Sequence, residues 1–271
     1  PFAILIGMAG ELVGSLSSAR IQAYEADVVA RSGRELAEIG RGEVESLYIW
    51  QVSVAAAWYE TIALFEPLMR NRIDVALRRW NTDNGQTVDW LEDAATPLRG
   101  VVRRAASSSR AEAEKAARRR APIHPRYRAP VSLDDRISQL TFGNLSALFP
   151  QRVPAQRRNL ASGFTAHENL WRFALKQAFP GLSPRFVENA KYAYGFTAPE
   201  EVEAAYAVGY SLDALRKLRN RVSHQEQILF VDHSARLREI YGLTHAMAPQ
   251  SLGMMKRLDR VQRTLALKPQ Y

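Results

Sequence analysis

Between Val44 and Trp80 the chain repeats large apolar residues at three- and four-residue spacing. Leu47, Trp50, Val54, Ala57, Trp58, Leu64, Phe65 and Leu68 all fall on that stripe. Such a period is the core face of one long helix, and a helix this apolar must be covered by other elements. The signals of strands, alternating Val, Ile and Thr with Asn-Gly turns, are nearly absent elsewhere. The chain is therefore expected to be all-α, built as a helical bundle. Pro67 lies inside the stripe and removes a helix hydrogen bond. A kink near Glu66, or two abutting helices, is expected there.

The rest of the chain reads as shorter helices. "SLSSARIQAYEADV" places serine caps before an amphipathic stretch around Ile21 and Tyr24. "NTDNGQTVDW" reads as a loop, and "DWLEDAATPLRGVVRRA" as a helix broken at Pro97. "SLDDRISQLTFGNLSALFP" opens a second helical block with Ser132 and Asp135 in a cap-like pattern. In "HENLWRFALKQAFPG", Leu170, Trp171, Ala174, Leu175 and Ala178 share a face that Pro180-Gly181 ends. Thr197 and Glu200 form a capping-box pattern with Pro199 in the first turn. Ser211 reads as the cap of a further helix, and the remainder holds one or two more. No internal repeat is visible. At 271 residues the chain can bury a real core. A single all-helical domain over residues 1–271 is expected, with an arginine-rich segment at 99–130 inside it.

Charge narrows the partners. The formal charge is +9, and only six of the 37 basic residues are lysine. Arginine forks grip phosphate in two places, which favours nucleic acid as a partner; a GC-rich genome, which inflates arginine and alanine together, is the competing source of the same count. From Arg99 to Arg128 there are ten basic and two acidic residues. The centre of this window, "SSSRAEAEKAARRR", has good helix formers but almost no large apolar residue, so it is expected to bury no face. Its tail, "APIHPRYRAP", is proline-rich and expected to be extended. The window is either a solvated helix with a linker, or an arm facing RNA or DNA through Arg118, Arg119 and Arg120.

Other classes fall away. With no cysteine, disulfides and thiolate metal sites are excluded, which fits a reducing cytoplasm. The apolar opening "PFAILIGMAGELVG" lacks the basic leader of a signal peptide and is shorter than the roughly 20 residues a membrane span needs. The five histidines are scattered, and neither a His-Glu-x-x-His pattern nor a glycine-rich phosphate loop occurs. Neither metal nor cofactor is expected, and no membrane partner.

The stretch "RKLRNRVSHQEQIL", Arg216 to Leu229, closes an amphipathic helix whose buried stripe is Leu212, Leu215, Leu218 and Val222. Asn220 and His224 are four apart and share a face. Arg219 lies about 100° around the helix from Asn220. The three can converge if the helix ends near Ser223, where the dipole favours a cation. An arginine followed at this spacing by a histidine is common in so basic a chain. Arg118 or Arg119 with His124, and Arg238 with His245, fit it too, but neither has asparagine next.

"LRNRVSH", followed by Gln225 and Glu226, resembles the arginine–asparagine–three–histidine signature of HEPN ribonucleases, and most of all their Abi-like (abortive infection) branch. "YIWQVSVAAAWYETIALFEPLMRN" is similar to that branch's long helix, which ends in Glu, three residues, then Arg-Asn. Here those are Glu66, Arg70 and Asn71. "ISQLTFGNLSALF" followed by "LWRFALKQAFP" is similar to its middle segment, with a Phe-Gly step before an aromatic. Order and spacing extend the resemblance over roughly residues 16 to 265. Three departures stand out. The family often carries His-His-Glu where this chain has His224-Gln225-Glu226. Pro67 intervenes between Glu66 and Arg70. The arginine-rich window is longer and more basic.

The resemblance implies a HEPN-like bundle with additional helices and metal-independent cleavage of RNA, in a toxin or antiviral effector. Arg219, Asn220 and His224 would be the catalytic cluster. Histidine suits proton transfer near neutral pH, arginine holds phosphate, and Asn220 can orient either. One chain offers one well-placed histidine, so a C2 homodimer is implied, with His224 of both copies near the seam. Glu66 and Arg70 share a helix face and either pair internally or, with Asn71, line the RNA cleft. A toxin role further implies an antitoxin or a small non-coding RNA as partner. Two other classes compete: a catalytically silent RNA-binding module, and a DNA-binding helical protein, for which no helix-turn-helix pattern stands out.

Overall fold

A computed structural model describes residues 11–157 and 162–271; the apolar opening, residues 1–10, lies outside them. Among the described residues the chain is α-helical and carries no strand. The α-helices are α1 (Glu11–Gly14), α2 (Ser18–Ser32), α3 (Arg41–Asp83), α4 (Leu98–Arg118), α5 (Leu133–Ser138), α6 (Phe142–Ser146), α7 (Ala166–Phe173), α8 (Pro184–Tyr194), α9 (Glu200–Ser223), α10 (His233–Met247), α11 (Pro249–Leu258) and α12 (Val261–Leu265). None of them is long and apolar enough to cross a membrane. The chain divides into two compact units. Of the described residues, the first holds those from Glu11 to Ala63, Leu218–Val231 and Arg257–Tyr271; the second holds those within Leu64–Lys217 and Asp232–Lys256.

The apolar stripe does make one helix. α3 runs unbroken through Pro67, so two abutting helices are not what forms. Proline lacks the N–H that would bond the carbonyl four residues earlier, and that carbonyl is on Ala63. The division between the units falls immediately after it.

In the first unit the C-terminal segment is tied onto α2 and the start of α3. The Trp50 indole N–H donates to the Thr264 carbonyl at 2.8 Å, and the Tyr271 hydroxyl to the Glu43 carbonyl at 2.9 Å. Arg31 lies over the Tyr271 ring and donates to the Pro269 carbonyl. Asp259 ends α11: its carboxylate accepts from the Val261 amide and from the Thr61 hydroxyl. Together with the break at Pro249, this makes three helices of the C-terminal stretch, where the sequence suggested one or two after α9.

The second unit corrects several sequence expectations. Asp89–Thr96 is a series of turns and not helix. The cause is Asn81, fully buried, whose side chain donates to the carbonyls of Thr87 and Asp93 and accepts from the Ala95 amide. A helix would need those backbone groups for itself. Buried Arg136 pairs with Asp89 and Glu92 and holds the turns from the other side. α4 does bury a face, made of Leu98, Val102, Ala105, Ser109 and Ala113, and packs on α5 and α7. Small residues suffice when the neighbouring backbone comes close.

The proline-rich tail after α4 is folded into turns, closed by bonds from His124 to Ala121, Tyr127 to His124 and Ala129 to Arg126. It is therefore not extended. Ser132 and Asp135 form the expected capping box. Glu168, fully buried at the start of α7, accepts from Arg157 at 2.5 and 3.2 Å, from the Tyr206 hydroxyl at 2.7 Å and from the Thr165 amide at 2.6 Å. Phe149, Trp171 and Phe179 pack ring to ring beside it.

α9 starts at Glu200, and the Pro199 carbonyl receives the amides of Val202 and Glu203. Pro199 thus holds the position expected of Thr197. Ser211 caps nothing: it lies fully buried within the same helix. The small residue before it serves packing. A Cβ on Gly209 would sit 2.1 Å from the Pro150 carbonyl oxygen, so only glycine lets these backbones approach.

Candidate functional site

Leu212, Leu215, Leu218 and Val222 are all buried, as the spacing required. α9 ends at Ser223, which leaves Arg219 and Asn220 half-buried in its last turn and His224 exposed on the first residue beyond it. The His224 amide still bonds the Asn220 carbonyl at 2.9 Å, so the two side chains keep helical register, one turn apart on one face. All three residues belong to the first unit.

The termination itself is unusual. The Glu226 amide donates to the Arg221 carbonyl at 2.8 Å and the Gln225 amide to the Val222 carbonyl at 3.2 Å. This is the paired bonding of a Schellman end, in which the residue after the cap takes a left-handed backbone. That residue is Gln225, at φ +54°, where glycine is the usual choice. Two contacts flank it, one from α2 and one across the turn itself. Arg20, on α2, donates to the Gln225 carbonyl at 2.6 Å, and Arg221 pairs with Glu226 at 3.6 Å. Arg20 lies 205 residues away in sequence, so no local spacing could have flagged it. It adds a fixed, exposed cation beside the turn that carries His224.

The remaining candidates lie in the second unit. Glu66 and Arg70 form an ion pair at 2.9 Å, and both side chains are largely covered. Arg70 also donates twice to the Leu140 carbonyl, at 3.0 and 3.3 Å, tying α3 to the turn before α6. The internal pairing is therefore made. Asn71, the next residue, is exposed.

The arginines at the end of α4 divide. Arg120 is covered: it pairs with Asp135 at 2.6 Å and donates to the carbonyls of Arg126 and Ala129. It folds the tail against the α5 cap. Arg126 joins it on Asp135 at 2.8 Å. Arg118 is exposed and loosely paired with Glu114 at 4.0 Å. Arg119 lines an open pocket of about 410 Å³ with His124 and Ser138.

Among the described residues no three of His, Asp and Glu gather as metal ligands would. No protein-family model, curated protein or solved structure matches the chain.

Proposed function

We propose that this chain is an endoribonuclease of the Abi-like HEPN type that cuts RNA without a metal ion, as a toxin or antiviral effector. The observation that carries the reading is the end of α9. An exposed histidine stands at the helix terminus, with Asn220 one turn behind it and Arg219 the residue before Asn220 in the same last turn.

The reaction assigned to it is internal transesterification. A base takes the proton from a ribose 2′-hydroxyl, and the 2′-oxygen bonds to the adjacent phosphorus. The bond from phosphorus to the 5′-oxygen breaks, and an acid protonates that oxygen. The products are a 2′,3′-cyclic phosphate and a 5′-hydroxyl. His224 has the chemistry for either proton transfer, and Arg219 for the charge on the phosphorane. The reaction uses two proton-transfer groups, and a C2 homodimer would supply His224 twice.

The test is incubation of purified protein with mixed RNA in EDTA, beside His224→Ala and Arg219→Ala. Wild type is expected to leave cyclic-phosphate ends, and each variant to lose at least about a hundredfold in rate, the usual weight of one acid–base or oxyanion group. RNA left intact by wild type, or cut equally by His224→Ala, removes the catalytic assignment. Retarded but uncut RNA would mark a silent RNA-binding protein instead.

A further inference from the structure

The second unit carries an open groove of about 840 Å³ between one face of α4, the residues around α6 and the start of α7. Arg103, Ser107 and Ser108 form its α4 wall, and Asn144, Ala147 and His167 the facing one. None of the residues lining it is acidic.

Arg103 is exposed and has no hydrogen-bond or ion-pair partner among the described residues. That separates it from its neighbours. Arg99 donates to the Ala94 carbonyl, and Arg110 pairs with Glu92. Lys115 and Arg118 face Glu112 and Glu114, the only two acids of the helix, beyond the groove. Ser107 is exposed as well, and Ser108 donates to the Ala105 carbonyl while keeping its lone pairs.

His167 differs from an ordinary surface histidine. Burial holds its imidazole below the usual range, against the hydrogen bond to the Ala147 backbone and the charge of Glu168. The ring is thus neutral near pH 7, and with one nitrogen engaged by Ala147 the other is left as an acceptor.

We propose that this groove binds single-stranded RNA, with a phosphate on Arg103 and the sugar and base edges against Ser107, Ser108, Asn144 and His167. A cation with no acid opposite it fits a polyanion. Hydroxyls, a side-chain amide and a neutral imidazole offer the mixed donors and acceptors that ribose hydroxyls and base edges require. The volume falls in the range of sites for small organic ligands, enough for one or two nucleotides. The groove shares no residue with the Arg219, Asn220 and His224 cluster, and the proposal holds whether or not the chain cuts RNA.

The experiment measures binding of a fluorescent single-stranded RNA by the His224→Ala protein in EDTA, so that cleavage does not interfere. Arg103→Glu and Ser107→Glu are compared with it across a salt series, with Arg185→Glu, exposed on α8, as a control outside the groove. Both groove positions are exposed, and melting curves verify that the variants fold. Each groove variant is expected to weaken binding about tenfold or more, and Arg185→Glu at most about threefold. Arg103→Ala should flatten the plot of log affinity against log salt by about 0.7, the share of one phosphate on a single strand. Folded Arg103→Glu and Ser107→Glu proteins that bind RNA like their parent overturn the proposal. So does displacement of the RNA by polyglutamate at equal charge concentration, which would make the groove a site for acidic protein. Loss of RNA cutting in wild type with the binding pattern intact would sink the nuclease reading alone.

Discussion

Gly209 sits in the middle of α9, where helix propensity and packing make opposite forecasts for one substitution. Replacing glycine by alanine inside a helix is ordinarily worth about 1 kcal/mol of stability. Here the added Cβ would lie 2.1 Å from the Pro150 carbonyl oxygen, 3.2 Å from its carbon and 3.3 Å from the Phe149 Cβ. Real Cβ atoms stay at least 3.0 Å away, so the backbones must part by about 0.9 Å. Neither side has room, because Phe149, Ala205, Tyr206, Val208 and Leu212 are all buried around the contact. Forcing a methyl group into a packed core costs about 1–3 kcal/mol, and displaced backbone belongs at the upper end. The net expectation for Gly209→Ala is a loss of about 2 kcal/mol, or a Tm lower by about 4–8 °C. Gly253, on the exposed side of α11 in the same unit, has nothing within 4 Å of its would-be Cβ. Gly253→Ala should therefore gain about 1 kcal/mol. Thermal and urea melts of the pair measure both. An unchanged or higher Tm for Gly209→Ala would refute the steric reading of α9 against Pro150.

Two further outcomes follow from the same physical account. Gln225→Gly should stabilise the protein by about 0.5–1 kcal/mol, because glycine adopts φ +54° without the cost a side chain carries, and Arg20 bonds a carbonyl that the substitution keeps; urea midpoints at constant m-value check it. Glu239 is buried on α10, with one carboxylate oxygen accepting from Tyr194 and Arg236 and the other without a partner among the described residues. Burial pushes its pKa up from 4.5 to about 7, against the pull of Arg236 and the hydrogen bond from Tyr194. The folded state thus holds this proton more tightly than the unfolded chain. The stabilisation, about 3 kcal/mol at most, is complete below pH 4.5 and lost as pH rises to about 7. Glu239→Gln should remove that slope from a plot of unfolding free energy against pH; an unchanged slope would refute it.

The elements legible in the sequence are those whose signal is local. The stripe from Leu47 to Leu68 needed only its own period to show as helix, and Ser132 with Asp135 needed only three residues to show as a cap. α4 shows where that reading stops. Its buried positions, Leu98, Val102, Ala105, Ser109 and Ala113, have the right spacing, but a scan for large apolar side chains passes over alanine and serine. Asp89–Thr96 has helical composition and yet wraps around Asn81, a residue outside any window that would have been drawn around it. Ser211 reads as a cap, yet it lies buried inside α9, whose Gly209 answers to Pro150, 59 positions earlier. For Asp89–Thr96 and for Gly209 the deciding contact lies outside the segment itself.

The candidate site divides along the same line. Its helix position, its register and its exposed histidine are local, and the spacing of Arg219, Asn220 and His224 carried them. What holds the turn is not local. A glutamine in the left-handed position breaks the rule that would have marked the helix end, and the bond that restrains it comes from Arg20. Strain held in place from outside is common where geometry serves chemistry. With glycine, the turn after α9 would need no such support, but the chain beyond His224 would have more backbone freedom. Gln225 follows His224 directly, and its carbonyl accepts from Arg20 while Arg221 and Glu226 pair across the turn. Under the proposed function, a histidine that has to reach one reacting oxygen would gain from such a restraint. The arginines around it thus divide by role: Arg20 and Arg221 hold the turn, and Arg219 is the one assigned to the phosphate.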